Sequence, residues 1–147
     1  MANRLRLKAE DAEDLDVISA HLQDAVARVG DIAYLPSKRR FALVFNRFMW
    51  EDLRRSEKPN GPFRRVRSGI HFDGVLRVRS QNVRQDAKDA VLELLSVRFE
   101  PAADGAGAVT LVFSGGGAIR LEVECLDAEI TDLSEPWATK NKPGHDA

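Results

Sequence analysis

At 147 residues the chain has room for one domain of ordinary size, with a core that needs no staples. Its composition, 44% apolar and 31% charged, is that of a globular protein. A single cysteine excludes an intramolecular disulfide framework. No apolar run approaches the roughly 18–20 residues that span a bilayer, and the N-terminal MANRLRLKAEDAEDLD lacks the apolar centre of a secretory signal. These features together point to a reducing compartment, most simply the cytoplasm.

The net charge of -1 hides a pattern. Residues 1–35 carry a net -3, residues 36–84 a net +9 and residues 85–147 a net -7. A basic middle either pairs with the acidic ends inside one fold or meets a polyanion. The sequence pI of about 6.3 favours internal pairing.

In chain order, residues 4–8 alternate polar and apolar and predict a short strand. In AEDAEDLDVISAHLQDA, Leu15, Ile18 and Leu22 recur at helical spacing behind a run of acidic residues that suits a helix N-terminus. A helix over Ala12 to Leu22, capping one end of a sheet, is expected. DIAYLPSKRRFALVFNRFMW then predicts two strands around a turn at Pro36, Ser37 and Lys38. Phe41, Leu43 and Phe45 share one face of the second strand, with Val44 and Phe48 on the other. The polar segment EDLRRSEKPNGP, residues 51–62, reads as a long loop.

FRRVRSGIHFDGVLRVRSQ reads as a hairpin. A three-residue loop, Phe72 to Gly74, pairs Ile70 with Leu76 and Ser68 with Val78, and sets Gly74 where a left-handed residue is wanted. That register places Arg67 opposite Arg79, with Arg65, His71 and Arg77 on the same face. Like charges facing across strands are destabilising and call for solvent, an acidic neighbour or an anionic ligand. Residues 85–90 are polar, and residues 87–95 fit either a strand or a helix. GAGAVTLVFSGGGAIRLEVEC is a hairpin in which Phe113 faces either Ile119 or Gly117. Residues 126–133 fit either a short helix or a last strand. The polar end from Thr139 reads as a disordered tail, which gives a domain over residues 1–138 and a tail over 139–147.

The triple glycine is followed by a strand of period two, without a Lys-Ser/Thr pair, so it is a turn and not a phosphate loop. Cys125 continues the apolar alternation of Val123 and is expected to be a small core residue. His21, His71 and His145 form no metal-ligand spacing with it or with one another, and no cofactor motif is present. Glu122 and Glu124 lie two apart on one face, as a general acid and base do, but equally as partners for arginines do. Ser114 lacks a nucleophile elbow. The remaining surface is basic: Arg54, Arg55, Lys58, Arg64, Arg65 and Arg67, with Trp50 and Phe63 nearby, continued by His71, Arg77 and Arg79. Basic side chains interleaved with aromatics suit an anionic partner, nucleic acid among them.

AYLPSKRRFALVFNRFMWE, GGGAIRLEVECLDA and the DGVLRV segment resemble a bacterial family, the domain of unknown function 2948 family, chiefly alphaproteobacterial. The resemblance covers nearly the whole chain and implies a bacterial, single-domain protein. It carries no known activity and so transfers no functional residue.

The expected fold is α+β and mostly β. It is a strongly bent antiparallel sheet or small barrel of about seven or eight strands with a short capping helix, a pleckstrin-homology-like roll being one specific form. The expected function is that of a small non-catalytic cytoplasmic module whose basic hairpin side takes a protein or anionic partner. The alternatives are nucleic-acid binding and an enzyme whose site is assembled from Glu122, Glu124, His71 and arginines.

Overall fold

The computed structural model describes residues 4–52 and 63–139. Strand β1 (Arg6–Ala9) leads into helix α1 (Ala12–Leu22). Asp11 caps the helix, its carboxylate accepting from the Asp14 N–H at 2.8 Å, and Glu13 and Asp14 occupy the first turn, where the helix dipole favours acids. Leu15, Ile18 and Leu22 are fully buried, each contributing roughly 1.5–3 kcal/mol. The helix packs chiefly on β6 (Val91–Pro101) and β1. Ser19 fixes it there by accepting from the Val97 N–H at 2.9 Å.

Strands β2 (Val26–Leu35) and β3 (Arg40–Phe48) flank a single turn of 3₁₀ helix at Pro36–Lys38. Phe41, Leu43 and Phe45 enter the core, as their alternation predicts. Phe48, on the opposite face, is buried too, with Trp50 edge-on at 4.7 Å and Phe63 at 5.8 Å. The rest of the sheet is β4 (Phe63–Phe72), β5 (Val75–Gln81), β6, β7 (Gly107–Phe113), β8 (Ala118–Val123), β9 (Ala128–Asp132) and β10 (Trp137–Thr139). Among the described residues the strands number ten, above the seven or eight expected.

The order is β1-β9-β4-β3-β2-β6-β7-β8-β5, with β10 on the end of β4. Every pairing is antiparallel. The bend lies in β2, which pairs β6 through residues 26–28 and β3 on both sides of an irregularity between Ala27 and Ile32. One half of the sheet thus folds over the other, and their inner faces form one core that includes Phe72, Phe113, Leu111, Leu121 and Ile130.

The two ambiguous segments resolve in favour of strands: β6 begins at residue 91 within 87–95, and residues 128–132 within 126–133 form β9. In the glycine hairpin Leu111 faces Ile119, and Phe113 donates its N–H to the Gly117 carbonyl at 2.8 Å, which is the Gly117 register. Gly115 and Gly116 take φ of 78° and 85°, the left-handed region that a turn this tight requires.

Three expectations fail. β4 and β5 do not form a hairpin. Gly74 is left-handed (φ 71°) as expected, but β5 pairs β8. β4 already has β3 along one edge and β9 with β10 along the other. The turn's own groups go elsewhere, Asp73 N–H to the Asp127 carbonyl and Val75 N–H to the Arg39 carbonyl, both at 2.9 Å. Arg67 therefore faces Asn46 and not Arg79. Cys125 is exposed and not in the core, because β8 ends at Val123 and the alternation stops with it. Thr139, read as the start of the tail, is the last residue of β10. Residues 140–147, and the greater part of the loop read at 51–62, lie outside the described residues.

Candidate functional site: an arginine row on the outer sheet face

The structure divides the basic residues between the two halves of the sheet. Arg64, Arg65, Arg67 and His71 lie on β4; Arg77 and Arg79 lie on β5. Arg54, Arg55 and Lys58 fall outside the described residues.

The β4 group is largely neutralised. Arg64 makes a two-pronged pair with Asp52 at 2.9 and 2.7 Å, which raises its pKa. Arg65 is half-buried with its guanidinium 5.8 Å from the Phe48 ring centre, and burial lowers its pKa against the opposing pull of Asp24 and Glu93. Arg67 lies 3.6 Å from Asp31. His71 lies 3.3 Å from Asp73 and faces Glu129 across the ladder. Asp73 is itself held by Arg40 at 2.7 Å, and that hydrogen bond keeps its carboxyl below the ordinary range. Trp50 and Phe63, read as stacking partners, pack on Phe48, and the Trp50 indole N–H donates to the Gln23 carbonyl at 2.9 Å.

The carboxylates read as a catalytic pair are separately engaged, Glu122 with Arg77 at 3.7 Å and Glu124 with Arg39 at 3.1 Å. No described contact links either of them to His71. His21 sits 2.9 Å from the Val17 carbonyl on its own helix, and His145 lies outside the described residues. Among the described residues no group of three His, Cys, Asp or Glu side chains could hold a metal ion.

The other half of the sheet is different. Val109, Leu111, Ile119, Leu121 and Val123 point into the core, so the residues between them point outward. Across that outer face Arg98 on β6 faces Thr110 on β7, Thr110 faces Arg120 on β8, and Arg120 faces Arg79 on β5. Three exposed arginines thus stand in one row perpendicular to the strands. Arg79 and Arg120 are direct cross-strand neighbours, with Cβ atoms roughly 4.5–5.5 Å apart. Arg98 lies two strands from Arg120, about 9.5 Å away. None of the three has a carboxylate within 4.0 Å among the described residues. The next row holds the Arg77–Glu122 pair.

The like-charge confrontation read from the sequence therefore exists, but with Arg120 in place of Arg67. Sequence reasoning missed Arg98 and Arg120 as members of the site. Each sits between apolar residues of its strand, Val97 and Phe99 or Ile119 and Leu121, so each shows as outward-facing. Only the strand order brings them together.

A second polar cluster is internal. Arg47, fully buried, pairs Asp132 at 3.0 and 3.0 Å and Glu51 at 2.9 and 2.8 Å. Ser68 donates to the same Asp132 oxygen as the Arg47 Nε, at 2.5 Å. Every strong donor of the guanidinium faces an acid, so this cluster is a structural clamp joining β3, β4 and β9.

A strongly bent, mostly β antiparallel sheet with a capping helix and an outward arginine row defines a class of small β-rich module. The chain belongs to the family described as Protein of unknown function (DUF2948), whose model matches residues 5–145. No curated protein and no solved structure matches it. Among the described residues no helix is long and apolar enough to cross a membrane.

Proposed function

We propose that this chain is a non-catalytic cytoplasmic binding module that docks an acidic segment of a protein partner on the outer face of β6, β7, β8 and β5. The observation that carries the reading is the facing pair Arg79 and Arg120, extended by Arg98 and lacking any carboxylate within 4.0 Å among the described residues. Like charges in register cost stability, and an anionic ligand that bridges them recovers it. Arg77 lies on the same face beside the row; Arg64, Arg65, Arg67 and His71 belong to the other half and are set aside.

A protein partner is preferred to nucleic acid because of what lies around the row. The outward positions beside the row are Val112 and Ala118 on one side and Glu100, buried Ala108 and Glu122 on the other, and no described side chain on this face is aromatic, so bases have nothing to stack on. The test is fluorescence anisotropy with a labelled oligo-aspartate peptide, alongside single- and double-stranded oligonucleotides, across a salt series. The peptide binds at low salt, weakens as salt rises, and loses about tenfold in affinity in the Arg79→Ala/Arg120→Ala variant. A peptide that fails to bind at low salt, or binds the double variant equally well, overturns the reading. Oligonucleotides that bind more tightly than the peptide replace it with the nucleic-acid reading.

A further inference from the structure

We infer that the seam between edge strand β5 and the part of β2 beyond its pairing with β6 binds a small amphipathic anion, an acyl or aryl chain of modest length with one anionic head group. β5 is the last strand of the sheet, and β2 pairs β6 only through residues 26–28. The two strands come together at one end. There the Tyr34 hydroxyl donates to the Val75 carbonyl at 3.3 Å, and Val75 donates its N–H to the Arg39 carbonyl at 2.9 Å. Past that clasp no ladder joins them. The turn over residues 83–88 closes the other end, tied to β2 by the Gly30 N–H to the Lys88 carbonyl at 2.8 Å.

Between them lies a cavity of about 280 Å³. Its walls are apolar, with Val29, Ile32 and Phe41 on one side and Val78 and Ile119 on the other. Its polar lining residues are Tyr34, Ser80 and Gln85, the last two hydrogen-bonded to each other at 2.8 Å, and Lys88. Lys88 has no carboxylate within 4.0 Å among the described residues. An apolar pocket with a few polar groups is the usual form of a ligand site, and this volume lies just below the usual range, about 300–1,000 Å³. The walls remove an apolar body from water, and the ammonium group selects an anionic head over a neutral one. This site is on the inner side of β5, distinct from the arginine row on its outer side.

The probe is sodium octanoate, with 1-octanol as its uncharged counterpart, read by amide chemical shifts of the full chain. Octanoate gives saturable shifts concentrated at Val78, Ser80, Val83 and Lys88. Lys88→Glu, at an exposed position that leaves the fold intact, weakens octanoate about tenfold and leaves octanol unchanged. Val83→Trp, at a lining position, takes up cavity volume and weakens both. Arg79→Ala/Arg120→Ala leaves octanoate binding as it was, which separates this site from the acidic-segment surface. Shifts that never saturate, that spread over the whole surface, or that survive both Lys88→Glu and Val83→Trp overturn the inference.

Discussion

Arg47 and Asp132 meet as a buried two-pronged ion pair, Nε to Oδ1 and Nη2 to Oδ2, both at 3.0 Å, reaching across β4 from β3 to β9 on the inner face of the sheet. Arg47 continues the inward series Phe41, Leu43, Phe45, and Asp132 continues the inward series Ala128, Ile130. Two alternations that otherwise fill the core end in opposite charges. The Asp132 carboxylate also accepts from the Leu5 N–H at 3.2 Å and so ties down the chain just before β1.

Removing one member of such a pair leaves the other charged and dry. Arg47→Met strands Asp132 and half-buried Glu51, and its expected cost is about 3–5 kcal/mol in urea unfolding. Arg47→Lys is expected to lose much of the same, because an ammonium cannot hold two carboxylates in a planar fork. An Arg47→Met protein as stable as the parent contradicts the clamp.

The same cluster sets the acid limb of stability. Burial raises the pKa of Asp132, but hydrogen bonds from Arg47 and Ser68 outweigh it and hold it below the ordinary range. Glu51 behaves alike: burial raises it, and Arg47 brings it below its usual value. Folded pKa values below the unfolded ones, about 3.9 and 4.3, stabilise the fold above those values. That stabilisation is lost as pH falls through the folded pKa values. The urea midpoint is therefore expected to fall below about pH 4, and to fall less steeply in Arg47→Met. Equal acid limbs in the two proteins would count against the assignment.

Most faces were legible in the sequence and partners were not; the exception on β5 is Leu76, read as apolar-side and turned outward by the irregularity between Val75 and Arg77. Period two assigned Ile70, Ser68 and Val78 to an apolar side, and the helix bounds followed from Leu15, Ile18, Leu22 and the acidic cap. Strand partners depend on which edge is still free when the sheet assembles. The turn at Asp73-Gly74 satisfied every local rule for a hairpin, yet β4 was already paired on both edges. Cys125 failed for a related reason: alternation was extended past the last ladder residue, Val123. The clamp did leave a signal, an arginine on an apolar face in FALVFNRF. The arginine row left only outward parity, and it needed the order β6-β7-β8-β5 to become a site.

Arg79 and Arg120 make a prediction about stability opposite in sign to the one about binding. Facing like charges are destabilising by roughly 0.2–1 kcal/mol, so Arg120→Thr is expected to stabilise the fold by that order while weakening the acidic peptide. Arg120→Glu is expected to stabilise it somewhat further at low salt, by forming a cross-strand pair with Arg79. Thermal midpoints at two salt concentrations check both. A midpoint that drops in Arg120→Thr would mean that the two guanidinium groups do not repel where they stand.

The glycines of the β7–β8 turn should divide by backbone angle and not by proximity to any ligand. Gly115 and Gly116 have φ of 78° and 85°, while Gly117, at φ -76°, has an ordinary backbone and only van der Waals neighbours around a Cβ. Gly115→Ala and Gly116→Ala are each expected to cost about 1–2 kcal/mol, the penalty of a Cβ in the left-handed region. Gly117→Ala is expected to stay within about 0.5 kcal/mol of the parent. Gly107→Ala supplies the contrast. Its Cβ would collide with the Glu100 carbonyl oxygen and the Phe99 ring, so crowding and not φ makes it costly, at about 1–3 kcal/mol. Denaturant midpoints of the four alanine variants test the order; a phosphate loop would show binding losses at all three turn glycines, Gly117 included.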